Sequence, residues 1–136
     1  MGIVYTEITL KNAGDVIVAR RSNEKETNIR QTTVQAVVDT GAATLVINEE
    51  VREELGLEVQ DTYEAELADG SKQVYLYSEP VQIHWKNRKT IQQAVVVPSA
   101  SQILLGAIPL EAMDLIVNPA KLELTGAHGD EILLRV

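Results

Sequence analysis

Apolar and polar residues alternate along residues 3–10, where Val4, Ile8 and Leu10 share one face with Thr6, the two-residue period of a half-buried strand. Asn12-Ala13-Gly14-Asp15 then supplies turn chemistry before the apolar run Val16-Ile17-Val18-Ala19, so the region predicts a first hairpin. Residues 20–27 are polar without a period. The pattern resumes at residues 29–38, where Val34, Ala36 and Val38 share a face and Val37 begins to fill the other. A β-branched run at 44–47 follows, then a helix over 49–55 with Asn48 as its cap and Gly56 at its end. Strands are expected at 62–67 and 72–77, joined by a two-residue turn at Asp69-Gly70, and at 81–85 and 90–97, joined through Lys86-Asn87-Arg88-Lys89. A buried run at 103–105 closes on Gly106, and a second short helix is predicted over 109–114 with Pro109 at its start. Residues 115–117, 122–125 and 131–136 are again strand-like, with turns at Asn118-Pro119 and over 126–129. The expectation is a mostly β chain with one or two short helices, forming a single domain over residues 1–136.

Composition narrows the partners. The 45% of apolar residues includes no Phe and one Trp, so the core is aliphatic. A net charge of −8 argues against nucleic acid, which needs clustered Lys and Arg; Arg20-Arg21 and Lys86–Lys89 read as solvated turns. Without cysteine there is no disulfide, thiolate zinc site or Cys nucleophile, and His84 and His128 alone do not make a His-rich site, so no metal and no cofactor is expected. No apolar run reaches the roughly 18 residues of a membrane span, and no signal-peptide pattern opens the chain, so the expected compartment is the cytoplasm. Met1 to Thr6 fits the loose N-myristoylation pattern, but the same residues open the first strand and are read that way.

The candidate chemistry lies in Val37-Val38-Asp39-Thr40-Gly41-Ala42, one acid between two apolar runs. Burial of an isolated carboxylate is costly, so such an acid is paired, caps a turn, or reacts. In the plain reading Asp39 accepts hydrogen bonds from the backbone of Gly41 and Ala42 as an Asx-turn. In the chemical one, two carboxyls sharing one proton activate a water and protonate an amide, because like charges about 3 Å apart cannot both ionise. Asp39 is then the acid/base, Thr40 brings a hydroxyl that can pin the loop, Gly41 allows close backbone approach, and Ala42 leaves room for a partner or substrate. A faint internal echo, an apolar run ending in a Gly-containing turn before a short helix, recurs at 37–55 and 103–114.

Val37-Val38-Asp39-Thr40-Gly41-Ala42, followed by Leu104-Leu105-Gly106 before a helix, resembles the retropepsin-like aspartic proteases, in their cellular and bacterial branch. The resemblance covers roughly residues 29–116 and is specific as a combination. It implies a closed or partly open β-barrel of the acid-protease type, a two-fold homodimer that pairs Asp39 with its own copy, and a peptide or protein substrate bound as an added strand. It also implies catalytic roles for Asp39, Thr40 and Gly41, with Thr40 hydroxyls of the two chains gripping each other. Ala42, the flap tip Ala68-Asp69-Gly70-Ser71, and Leu104, Leu105 and Gly106 would hold the substrate, and the terminal strands would build the dimer sheet. Retroviral members usually follow the first motif with Asp and the second with Arg; this chain has Ala43 and Ala107, so both halves of that brace are missing together.

The function expected is therefore an aspartic endopeptidase. The alternative is a weakly active or inactive peptide-binding or dimerisation module on the same fold. A metal- or small-molecule-binding barrel ranks last, for want of a ligand cluster. Trp85, Tyr75 and Tyr77 read as packing residues, and His84 receives no role.

Overall fold

A computed structural model describes residues 2–22 and 28–128. In chain order the elements are β1 (Tyr5–Asn12), α1 (Ala13–Arg21), β2 (Gln31–Val38), β3 (Leu45–Ile47), α2 (Glu49–Glu54), β4 (Val59–Glu66), β5 (Lys72–Trp85), β6 (Arg88–Val96), β7 (Ile103–Leu105), α3 (Ala107–Ala112), β8 (Leu115–Asn118) and β9 (Glu123–Gly126). The expected dominance of strands holds.

Six strands close on themselves in the order β1-β2-β7-β3-β6-β5, and β5 returns to pair with the second half of β1. The ring is a mixed barrel: β2 runs parallel to β7 and β3 parallel to β6, while the other pairings are antiparallel. β4 lies outside the ring, paired only with β5, and β8 and β9 form a separate antiparallel ribbon. The alternation along β1 sends Ile8 and Leu10 inward, where they meet Leu45, Ile47, Ile83 and Leu105, all fully buried. Each such side chain stabilises the fold by about 1.5–3 kcal/mol through removal from water. Trp85 closes the barrel wall beside β1, buried, with its indole N–H donating to the Thr6 hydroxyl at 2.8 Å.

The expected opening hairpin is replaced by a strand and a helix. The run at 16–19 has four consecutive apolar residues and no period of its own, so its state is set by its flanks. Asn12 accepts the Asp15 N–H as an N-cap at 3.0 Å, Asp15 sits in the first turn, and Arg20 and Arg21 occupy the last, all favourable to a helix dipole. The Asn12 amide also donates to the Leu55 carbonyl at 2.8 Å, and its backbone N–H to Arg30, so the cap is anchored from two other elements. Ala13 and Ala19 face inward while Ile17 and Val18 stay exposed.

Three smaller expectations also shift. The strands expected at 72–77 and 81–85 are one long β5 carrying a bulge between Tyr77 and Pro80. The helix expected from Pro109 begins at Ala107, with proline at its third position, still inside the first turn where no N–H is needed. There are three helices rather than one or two among the described residues. The helix after Asn48 forms as expected, with Asn48 accepting the Val51 N–H at 3.0 Å. The strand expected at 131–136 lies outside the described residues.

Arg30 ties α1 to the start of β2. Its Nε and Nη2 donate to the two oxygens of Asp15 at 2.8 and 2.9 Å, and its backbone N–H donates to the same carboxylate at 3.0 Å. The Arg30 side-chain hydrogen bonds hold the Asp15 carboxyl below its ordinary 3.8. A carboxyl lowered on folding stabilises the native state above its unfolded pKa, and that contribution is lost as pH falls through the folded value. Arg30 is half exposed, so solvent screening limits the pair to no more than about 1 kcal/mol. Asp15→Asn is therefore expected to lower stability at pH 7 by up to about 1 kcal/mol. The difference from wild type should shrink on acidification below the ordinary carboxylate range, as urea midpoints across pH will show.

Candidate active site

β2 ends by delivering Asp39 to the rim of the barrel. Val38 pairs with Leu105 in the parallel ladder, and the Asp39 N–H continues it by donating to the Leu105 carbonyl at 3.0 Å. The chain then turns sharply: the Ala42 N–H donates to the Asp39 carbonyl at 3.1 Å, and the Gly41 N–H donates to Oδ1 of the Asp39 carboxylate at 2.9 Å. The Asx-turn reading of this tripeptide is therefore physically present. It occupies only one carboxylate oxygen, and no described residue donates to Oδ2. Asp39 is half-buried and Thr40 exposed, and both line a depression of about 500 Å³ whose other walls include Ile3, Val37, Val117 and Leu122.

The second motif braces this loop from behind. Gly106 is buried, and a Cβ there would lie 2.3 Å from the Thr44 carbonyl oxygen and 2.6 Å from that of Ala42. Only glycine permits the approach. It brings the start of α3 onto the loop, so that Ala107 N–H donates to the Ala42 carbonyl and Ile108 N–H to the Ala43 carbonyl, each at 2.8 Å. A helix start leaves its first N–H groups without internal partners, and here the carbonyls of the Asp39 loop satisfy two of them in place of a side-chain cap. Ala43 and Ala107 are thus each joined to the facing segment through their backbones.

The structure brings the two motifs together. Leu105 is fully buried in the barrel core and Gly106 is buried against backbone, so both support the Asp39 loop and neither is open to a substrate within this chain. Leu104 is half-buried and Ala42 likewise.

The flap-tip residues Ala68, Asp69, Gly70 and Ser71 are all exposed at the end of the β4–β5 hairpin. Their turn differs from the expected two-residue form. Gly70 N–H donates to Leu67 O at 2.9 Å and Leu67 N–H to Ser71 O at 2.7 Å, leaving a three-residue loop 68–70 with Gly70 at φ +87°. That is a type I turn closed by a left-handed residue. Asp69 Oδ1 accepts from both the hydroxyl and the N–H of Ser71, which hold its carboxyl below the usual range. No hydrogen bond joins this tip to the Asp39 loop among the described residues.

Sequence reasoning passed over Thr44, Asp61, Ser78 and Gln93, which tie the flap base to the Asp39 loop. The Thr44 hydroxyl donates to the Gln93 carbonyl at 3.2 Å, and the Gln93 amide to Asp61 at 2.7 Å. Their one signal was Ser78-Glu79-Pro80, a polar break inside an apolar strand pattern. His84 accepts no catalytic role; its ring meets Gln82 at 2.6 Å, and burial together with Lys11 and Lys89 lowers its pKa. Among the described residues no group of acids and histidines could hold a metal ion, and no helix is long and apolar enough to cross a membrane.

Residues 26–112 match the model of the family described as "gag-polyprotein putative aspartyl protease". The chain belongs to the retropepsin-like aspartyl protease family. The match spans both motifs and the flap of this retropepsin-like chain. Among solved structures, the crystal structure of a retropepsin-like aspartic protease from Rickettsia conorii aligns over 82% of each chain at 15% identity, with a TM-score of 0.40. No curated protein matches the sequence.

The packing around Gly106 in this retropepsin-like chain yields a direct test. Gly106→Ala places a methyl group among backbone atoms that cannot move aside singly, so it is expected to destabilise the fold by about 2–4 kcal/mol. Thermal and urea unfolding measure it; a loss below ~0.5 kcal/mol would show that the two loops are not held in this contact.

Proposed function

We propose that the protein is an aspartic endopeptidase that acts as a homodimer, with Asp39 of each chain facing the other across a two-fold axis. The observation that carries the reading is the state of the Asp39 carboxylate: Oδ1 is fixed by the Gly41 N–H, while Oδ2 has no donor among the described residues. That carboxylate stands at the mouth of a depression of about 500 Å³. Family membership and the single Asp-Thr-Gly in the chain support the pairing. Apolar side chains beside the loop, Ile3, Leu122 and Ile116, are exposed in one chain, which suits coverage by a second copy.

In the dimer the two carboxyls share one proton. The ionised one takes a proton from a water held between them as the water oxygen bonds to the peptide carbonyl carbon. The protonated one gives its proton to the carbonyl oxygen, forming a neutral tetrahedral diol. Collapse then breaks the C–N bond as the newly protonated carboxyl gives its proton to the leaving nitrogen and the other carboxylate takes one from a diol hydroxyl, so the pair returns to its starting state. Thr40, exposed next to Asp39, would meet its copy and set the distance between the loops. Ala42, Leu104 and the tip 68–71 would contact an extended peptide bound as an added strand. Leu105 and Gly106 act by holding the loop from behind.

The alternative, a peptide-binding module without efficient hydrolysis, is separated by one experiment. Wild type is expected to cleave members of a diverse peptide pool between about pH 4 and 7, and Asp39→Asn to reduce cleavage at least about a hundredfold. Equal cleavage by both proteins removes Asp39 from the mechanism, whereas a dimeric wild type that binds peptides and cuts none is the binding module. Sedimentation across a dilution series tests the dimer: activity per chain should fall as the dimer dissociates, and a fully active monomer contradicts the shared site.

A further inference from the structure

The β4–β5 hairpin joins the barrel where two ladders break at the same level. On the β4 side the pairing passes from Val59 with Ser78 to Asp61 with Tyr77, leaving Gln60 unmatched. On the β6 side it passes from Pro80 with Gln93 to Tyr77 with Val95, so that Ser78 and Glu79 together face Ala94. Beyond Leu76 and its partner Val96 the β5–β6 ladder stops, and residues 63–75 extend as an arm of two strands paired only with each other. A coincident break of this kind thins the backbone pairing that would otherwise make arm and barrel one rigid sheet, leaving the Glu79 N–H to Glu58 carbonyl bond at 2.9 Å on the β4 side.

Side chains fill the break. Ser78 is fully buried; its hydroxyl accepts the Ala94 N–H at 3.1 Å and donates to the Glu79 carbonyl at 2.8 Å. The Gln93 amide nitrogen donates to the Ser78 carbonyl at 3.2 Å and to Oδ2 of Asp61 at 2.7 Å. Asp61 lies two residues below Tyr63 at the root of the arm, whereas Gln93 belongs to the barrel wall. The carbonyl of Gln93 also receives the Thr44 hydroxyl, from the segment that packs on Gly106. One residue therefore touches the arm through its side chain and the Asp39 loop through its backbone.

We propose that the Asp61–Gln93 hydrogen bond is the latch of a hinge at Ser78–Glu79, and that it sets the angle at which the arm leaves the barrel. Asp61 and Gln93 are positioning residues: neither touches reacting atoms, and both fix where the flap tip stands. The consequence for peptide binding rests on the protease reading above; the hinge itself does not.

Hydrogen–deuterium exchange of the full chain tests it, on wild type, Asp61→Ala, Gln93→Ala, the double alanine variant, and Asp61→Asn, which keeps an acceptor oxygen. In either single alanine variant the amides that bond across the root, those of Glu79 and Ala94, are expected to exchange about tenfold faster, the scale set by loss of one charge-assisted hydrogen bond, while the ladder within the arm stays protected. The double variant should be no faster than the singles, Asp61→Asn should stay close to wild type, and amides of β1 and β2 should not change. Unchanged exchange at the root, an equal rise in β1 and β2, or additive effects in the double variant overturns the latch. If wild type cleaves peptides, the alanine variants should raise KM more than they lower kcat, and the reverse also counts against the latch. If wild type cleaves none, the protease reading falls while the exchange result still decides the hinge.

Discussion

The approach of Gly106 to the carbonyls of Ala42 and Thr44 is the contact on which the site depends. It lets β7 lie parallel to β2 with Leu105 opposite Val38, which places the Leu105 carbonyl where the Asp39 N–H needs an acceptor. The same approach aims the first N–H groups of α3 at Ala42 and Ala43, so a helix start and a tight turn satisfy each other's backbone. β7 is only three residues long, yet it is paired on both edges, to β2 and to β3. Its position at the centre of the ring carries the order of the Asp39 loop into the barrel core.

How much of this was legible in the sequence follows from which forces were local. The strand into Asp39, the Asn48 cap and the Asp69-Gly70 turn were readable because pattern and turn chemistry act within a few residues. α1 was misread because Val16-Ile17-Val18-Ala19 fits either state, and the groups that decide it, Leu55 and Arg30, are distant in sequence. The turn gained a residue because Leu67 and Ser71 close a hydrogen bond across it. The burial of Leu105 and Gly106 could not be read locally, because burial is a property of the closed barrel. The register that joins the two motifs came only with the structure.

The flap combines a firm interior with a weak root. Tyr63 and Tyr77 meet edge to face at 5.1 Å near its base, Lys72 reaches Glu64 at 3.2 Å near its tip, and the left-handed Gly70 fixes the turn. Aromatic edge contacts of this type contribute about 0.5–1.5 kcal/mol, while the exposed ion pair adds little. Isolated two-stranded hairpins are marginal in water, so these internal contacts are what keep the arm a unit. A stiff arm on a root held by few bonds moves as a body, and the placement of its tip then depends on the root.

The bracing of the Asp39 loop by backbone bonds has a consequence for acid conditions. An Asp–Arg brace stabilises its loops only while its carboxylate is ionised, and it weakens as pH falls through that group's folded pKa. The bonds from Ala107 and Ile108 to Ala42 and Ala43 join uncharged groups, so they neither titrate nor require a charge to be desolvated. At about 0.5–1.5 kcal/mol each, two of them serve in place of an exposed ion pair without loss. At the flap tip, the Ser71 hydroxyl and N–H keep the Asp69 carboxyl ionised further into acid than an ordinary carboxylate. The brace behind Asp39 and the turn at Asp69 are thus both held by interactions that persist in mild acid.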